Sequence, residues 1–202
     1  MSKQIKIRTI CLVKSINLLL TKLTQLFFIA GLILFLISPV NSYSYASEKN
    51  LEYKVKAAYL YNFTKFVNWP DDVLPDNNEK TLNICILGQD PFGHAIDLLS
   101  NKTAQGHNVS VEYIKKVNPG LQCHVVFISK SKEKNIKQIL NSLSDKKVLT
   151  VSDIDRFAIK GGGISLNILK GKVSFNINLQ ATKNADLQVS AKLLELAKMV
   201  IE

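Results

Sequence analysis

Apolar and polar residues follow three different rhythms along this chain. From Leu51, apolar side chains recur at intervals of three and four (Val55, Ala58, Tyr59, Phe63, Phe66, Val67), with Lys54, Lys56, Asn62 and Lys65 between them, which predicts a helix. Proline disfavours helical backbone at the residue before it, so this helix is expected to stop at Trp69-Pro70. After the polar turn DDVLPDNNEK, the runs 82–87, 109–114 and 121–129 read as strands, the third apolar enough to be buried on both faces. Between the first two, Asp90-Pro91 offers a cap and first-turn pair for a helix through Leu99. Lys132 to Leu143 places Ile136, Ile139, Leu140 and Leu143 on one side of an amphipathic helix, and Val148 to Val151 reads as a fourth strand. Alternation of strand and helix predicts a largely parallel sheet covered on both sides.

The rhythm changes after residue 160. ISLNILKGKVSFNINL alternates apolar and polar residues on both sides of Lys170-Gly171, the pattern of an antiparallel hairpin, and a last helix is expected from about Leu187 to Ile201. The predicted fold is an α/β class, three-layer α/β/α sandwich whose largely parallel sheet is extended by an antiparallel hairpin.

The N-terminal stretch does not belong to that pattern. Residues 1–25 carry Lys3, Lys6, Arg8, Lys14 and Lys22 with no acid, and lead into the apolar run LFFIAGLILFLI, 26–37. Twelve residues fall short of the ~20 that span a bilayer. Ser44 and Ala46 behind the run are small at the positions a signal peptidase reads, so 1–46 is expected to be a signal peptide cleaved after Ala46. The long basic region and the mildly apolar residues from Val40 leave an uncleaved anchor as the alternative. The only nearby cysteine, Cys11, lies ahead of the run instead of behind it, which argues against a lipoprotein. Removing 46 of the 202 residues leaves 156, enough for a single domain over 47–202.

That removal lowers the net charge from +10 to +5, since the segment holds five basic residues and no acids. What remains reads as a solvated surface, and a nucleic-acid partner is not expected. It also leaves two cysteines, Cys85 and Cys123, in an oxidising compartment. Both sit in strand-like runs, the first and third strands, which neighbour one another in many doubly wound sheets. A disulfide is favoured over two buried thiols; closing a loop of about 38 residues is worth about 4 kcal/mol in the chain-entropy model.

Candidate chemistry is sparse. His94, His107 and His124 have no partner at a zinc-like interval, so no metal site is expected, and no cofactor. Gly161-Gly162-Gly163 opens onto a strand instead of a helix and lacks the Lys-Ser/Thr of a phosphate loop, which suits a tight backbone turn. Gly88 to Gly93 follows a strand and opens a helix, where α/β sheets bind ligands, but contains no basic residue. Ser129 and Ser152 lie outside any G-x-S-x-G elbow, and Ser152-Asp153 reads as a helix cap. No residue identifies a catalytic group.

The wording of the first helix carries more information than its periodicity. KAAYLYNFTKFVNWP (56–70) resembles the N-terminal signature of the YfiR/HmsC-like family of periplasmic proteins. CILGQDPFG (85–93), CHVVFIS (123–129), LTVSDIDRFAIKGGGISL (149–166), VSFNINLQA (173–181) and VSAKLLELAKMV (189–200) follow in order. The resemblance implies a non-enzymatic periplasmic repressor that binds the periplasmic part of a membrane-bound diguanylate cyclase, lowering cyclic di-GMP and biofilm formation. It also implies a homodimer, an OmpA-like outer-membrane lipoprotein that titrates the repressor, and a pairing of Cys85 with Cys123. A second cysteine pair found in some members is missing. Other members lie beside sensor kinases, so another membrane sensor remains an alternative partner. Phe157 and Ile164, flanking the three glycines, are the expected partner-binding anchors. The alternative function is a periplasmic small-ligand receptor using the Gly88–Gly93 region.

Overall fold

A computed structural model describes residue 22 and residues 24–27, 42–74 and 81–202; the expected targeting segment lies for the most part outside these. The chain divides into two compact units, 1–46 and 47–202, and the sheet belongs to the second.

Helix α1 (Ser42–Phe66) is followed by strand β1 (Val67–Asn68), then β2 (Leu82–Leu87), the short helix α2 (His94–Asp97), β3 (Thr103–Ala104) and β4 (His107–Ile114). β5 (Val125–Ile128) leads through a 3-10 turn (Lys130–Asn135) into α3 (Ile136–Leu143), and β6 (Leu149–Ser152) follows. The hairpin strands β7 (Ile164–Leu169) and β8 (Lys172–Asn178) precede α4 (Leu179–Asn184), β9 (Gln188–Val189), α5 (Ala191–Leu196) and β10 (Met199–Ile201). Eight strands form one sheet in the order β10-β8-β7-β6-β5-β2-β4-β3, parallel except at the β7–β8 and β4–β3 pairs; β1 and β9 form a separate antiparallel pair.

The side-chain alternation of the central strands sorts the core into two layers. Ile84, Ile86, Val125, Phe127, Leu149, Val151, Ile164, Leu166, Phe175 and Ile177 pack with α1 and with Leu193 of α5. Cys85, Leu87, Val126 and Ile128 point the other way and pack with Leu143 of α3 and with Ile154 and Phe157. Strands buried on both faces need apolar residues at consecutive positions, which is why LNICIL and VVFI are nearly unbroken. The α/β sandwich with its antiparallel hairpin is thus the observed architecture.

Two helix expectations need correction. The first helix ends at Phe66, ahead of Pro70, because Val67 and Asn68 pair with Val189 and Gln188. The Gln105 side-chain amide donates to the carbonyls of Thr64 (2.7 Å) and Val67 (2.8 Å), satisfying acceptors that a helix end leaves open. Trp69 tucks in behind and donates its indole N–H to the His124 carbonyl at 3.2 Å. The expected last helix is instead β9, α5 and β10: Ser190 caps α5 through the Leu193 N–H, Ala197 turns extended, and Met199–Ile201 adds in parallel to β8. Short apolar runs of this kind suit either a helix or a strand by periodicity, and here the open edge of β8 takes the chain.

β2 and β5 are neighbours, and Cys85 and Cys123 are disulfide-bonded with Cα atoms 5.9 Å apart. The bridge ties β2 to the segment entering β5 inside the second core layer. Non-reducing peptide mapping is expected to recover one Cys85–Cys123 linked pair, and Cys85→Ala to lower unfolding stability by about 2–5 kcal/mol in a urea titration.

Candidate functional site

Charge enters the core on α1. Its buried row is Tyr53, Lys56, Ala57, Leu60, Phe63 and Thr64, whereas Val55 and Ala58 are exposed. The helix is therefore rotated from the register predicted by its apolar residues alone, and Lys56, 1% exposed, sits where an aliphatic residue would be expected. What holds it there is Asp153, the residue after β6, at the carboxyl edge of the parallel strands. Lys56 Nζ lies 2.6 Å from Asp153 Oδ2 and also pairs with Glu52 one turn earlier. The Tyr53 hydroxyl donates to the same Asp153 oxygen at 2.8 Å, and its ring lies 4.3 Å from the ammonium. Burial, then the hydrogen bond and charge of Asp153, push the Tyr53 phenol well above its ordinary value. Asp153 Oδ1 is buried without a hydrogen-bond partner among the described residues. Beneath the cluster, Phe92 packs edge-on against Tyr53 and Phe127, centroids 5.5 and 4.7 Å apart.

This cluster escaped the sequence reading, which took Lys56 for a solvated position and Ser152-Asp153 for a cap. Ser152 does receive the Ile154 N–H at 3.0 Å, but Asp153 faces α1. The available signal was a lysine inside the row 53-57-60-63.

The expected anchors lie elsewhere than expected. Phe157 and Ile164 are both fully buried: Phe157 lies in the layer beneath α3, and Ile164 in the layer beneath α1. Phe157 is held against the glycine turn, where a Cβ on Gly162 would come within 2.1 Å of its ring. Neither residue presents a side chain to a partner in this fold. Gly161 supplies a positive φ of 99°, and Gly163 approaches the Thr150 carbonyl so closely that a Cβ would lie 3.0 Å from it, so the three glycines make a tight turn. The Gly88–Gly93 crevice is bridged by the protein's own groups: Gln89 N–H donates to Ser131 Oγ at 2.9 Å, where a Gly88 Cβ would stand 2.5 Å away. Asp90 receives the Phe92 and Gly93 N–H groups, closing a turn ahead of the four-residue α2 in place of the longer helix. His94 is exposed, and His107 and His124 are buried.

Apolar residues do reach the surface at this edge. Leu51 (63% exposed), Val55 and Tyr59 succeed one another at helical spacing, and Tyr59 lies on the hairpin, its hydroxyl donating to the Val173 carbonyl at 3.4 Å. Four residues of helix rise about 6 Å, so Val55 and Leu51 carry the row outward past the hairpin tip, where Ile168 and Leu169 are also exposed.

A family model described as YfiR/HmsC-like matches residues 53–198. The chain belongs to the YfiR/HmsC-like family. That family regulates cyclic di-GMP signalling from the periplasm and is regulatory rather than catalytic. Its match begins at Tyr53 and so takes in the whole Tyr53–Lys56–Asp153 cluster. Among solved structures, a conserved domain protein from Vibrio cholerae O1 biovar El Tor is similar at 12% identity and a TM-score of 0.46, over 64% of this chain and 57% of that one. The ABC domain in complex with L-Trp from Streptococcus pneumoniae is similar at 11% identity and a TM-score of 0.43, over 59% and 55%. The chain thus spans just over half the length of either. No helix among the described residues is long and apolar enough to cross a membrane.

In this YfiR/HmsC-like chain the buried ion pair fixes α1 to the carboxyl end of β6 and so sets which residues α1 shows to solvent. Lys56→Met leaves the Asp153 carboxylate buried and unpaired. It is expected to cost about 3–5 kcal/mol by urea unfolding, whereas Lys56→Met with Asp153→Leu should recover most of that loss.

Proposed function

We propose that this protein binds the periplasmic part of a membrane-bound diguanylate cyclase and holds it in a low-output state, lowering cyclic di-GMP and biofilm formation. The observation that carries this reading is the family match across 53–198, since the family's regulation is periplasmic and concerns this signal. In this reading the protein is exported by cleavage after Ala46, acts as a homodimer without catalysis, and is titrated by an OmpA-like outer-membrane lipoprotein. Binding one conformation of the sensor in preference to the other is sufficient: a hundredfold preference shifts the equilibrium by about 2.7 kcal/mol.

The docking face in this proposal is the exposed row Leu51 and Val55 with Ile168 and Leu169 at the hairpin tip. It takes the place of Phe157 and Ile164, whose side chains are fully buried. Apolar side chains projecting together from a rigid support are the usual anchors of such contacts. α1 is a rigid support because Lys56, one position from Val55, is locked to Asp153.

A second reading, a small-ligand receptor, draws support from a cavity of about 710 Å³ at the opposite, amino end of the strands. Asn83, Ser110, Glu112, Gln122, His124 and Lys146 line it, and its volume is in the range of ligand sites. The readings separate in the cell. Deleting the gene is expected to raise cyclic di-GMP. Restoring it as the Leu51→Asp, Val55→Asp variant should give a folded protein that fails to lower it. Unchanged cyclic di-GMP in the deletion strain, with the membrane cyclase present and active, would contradict repression and favour the receptor.

A further inference from the structure

The lysines of the 47–202 body are unevenly placed. β4 ends at Ile114 and runs into Lys115 and Lys116; β5 ends at Ile128 and runs into the 3-10 turn, which carries Lys130, Lys132 and Lys134, with Lys137 one turn further along in α3. β4 and β5 both run parallel to β2, between them, so these lysines emerge at the same edge of the sheet. Contacts join them into one surface. Lys132 Nζ donates to the Lys115 carbonyl at 3.1 Å, and Lys115, Lys116 and Lys132 border one shallow depression of about 360 Å³. On the other flank Lys160 reaches Glu133 at 3.2 Å, and Lys160 and Lys137 border a second depression.

Two of the acids nearby are engaged. Glu133 pairs with Lys160, and Asp90 in the adjoining loop receives the N–H groups of Phe92 and Gly93. Among the described residues, none of Lys115, Lys116, Lys130, Lys134 and Lys137 is held in an ion pair, and all five are exposed. The seven lysines with Glu133 and Asp90 sum to +5, equal to the net charge of residues 47–202, so the rest of that body is close to neutral. Beside Lys160, Ile159 stands 55% exposed.

We propose that this lysine face rests on an anionic phospholipid bilayer. A lipid surface needs no matched geometry. Each lysine brought near it contributes about 1 kcal/mol, so unpaired lysines on one face add together, and an exposed apolar residue among them enters the headgroup region. An acidic protein partner would need carboxylates set opposite lysines of fixed position, and of the seven only Lys132 and Lys160 make a fixed contact among the described residues. The lysine face and the row Leu51–Val55 both lie at the carboxyl end of the parallel strands, so a chain resting on the bilayer would hold that end toward a partner emerging from it. The lipid contact itself is independent of which partner is bound.

Co-sedimentation with large vesicles tests this, using the full-length gene's soluble product at about 0.1 M salt. Vesicles of phosphatidylcholine with a third phosphatidylglycerol should bind the protein, pure phosphatidylcholine should not, and binding should fall steeply as salt is raised. Lys115→Glu, Lys116→Glu, Lys134→Glu and Lys137→Glu together should weaken binding at least ~tenfold while circular dichroism stays unchanged, since each removes a surface contact worth about 1 kcal/mol. Lys183→Glu with Lys192→Glu, on α4 and α5, should have a much smaller effect. Equal binding to both vesicle types, or full binding by the four-glutamate variant, would overturn the proposal. So would a four-glutamate variant that keeps its vesicle binding but loses a purified acidic protein domain, which would assign the face to a protein.

Discussion

One buried ion pair organises the upper half of this molecule. Lys56 and Asp153 lie 97 residues apart in the chain, and their contact fixes the rotation on the sheet of the part of α1 that follows residue 46. Taking two charges out of water is costly, and the attraction between them offsets that cost only when the remaining hydrogen-bonding capacity is used. Lys56 meets that condition through Glu52 and Asp153; Asp153 does so on one oxygen, through Lys56 and Tyr53, and leaves the other without a partner. Such a pair is a poor source of stability compared with apolar packing. Its effect is geometric: with Lys56 inward, Val55 and Leu51 are outward.

The opposite end of the helix is secured differently. Gln105, at a positive φ of 51°, closes the helix carbonyls, Tyr61 reaches the Thr103 carbonyl at 2.8 Å, and β1 pairs with β9. Lys147 links Asp72 and Asp186 at the same end, and those two carboxylates hold its ammonium above the ordinary lysine range. α1 is thus held by neutral hydrogen bonds and a strand pair at one end and by buried charge at the other. Between them Phe63 and Phe175, centroids 5.3 Å apart, supply the apolar contact.

Most of the sheet was legible in the sequence because its central strands are buried on both faces, and so read as unbroken apolar runs, while the hairpin is wetter on one face and alternates. Part of the family wording was legible for a different reason: some of its motifs take in turns and strand ends, where backbone geometry restricts residue choice, as at Gly162 against Phe157. What could not be read was long-range. Nothing local tells that Lys56 meets Asp153, and without that the helix was placed in the register of its apolar residues. The same limit put Phe157 and Ile164 on a surface, because residues beside a glycine turn look exposed until the layer above them is known. The C-terminal segment was taken as one helix because the edge of β8, which recruits Met199–Ile201, is invisible from within that segment.

The central claim is that the carboxyl end of the sheet, where a charge-locked α1 presents Leu51 and Val55, is the surface through which this protein acts. Hydrogen exchange with and without the purified periplasmic domain of the membrane cyclase tests it most directly. The account predicts slowed exchange confined to the first turns of α1 after residue 47 and to the hairpin around Ile168–Lys172. Slowed exchange at the amino end of the strands instead, around Asn83, Gln122 and Lys146, would contradict it.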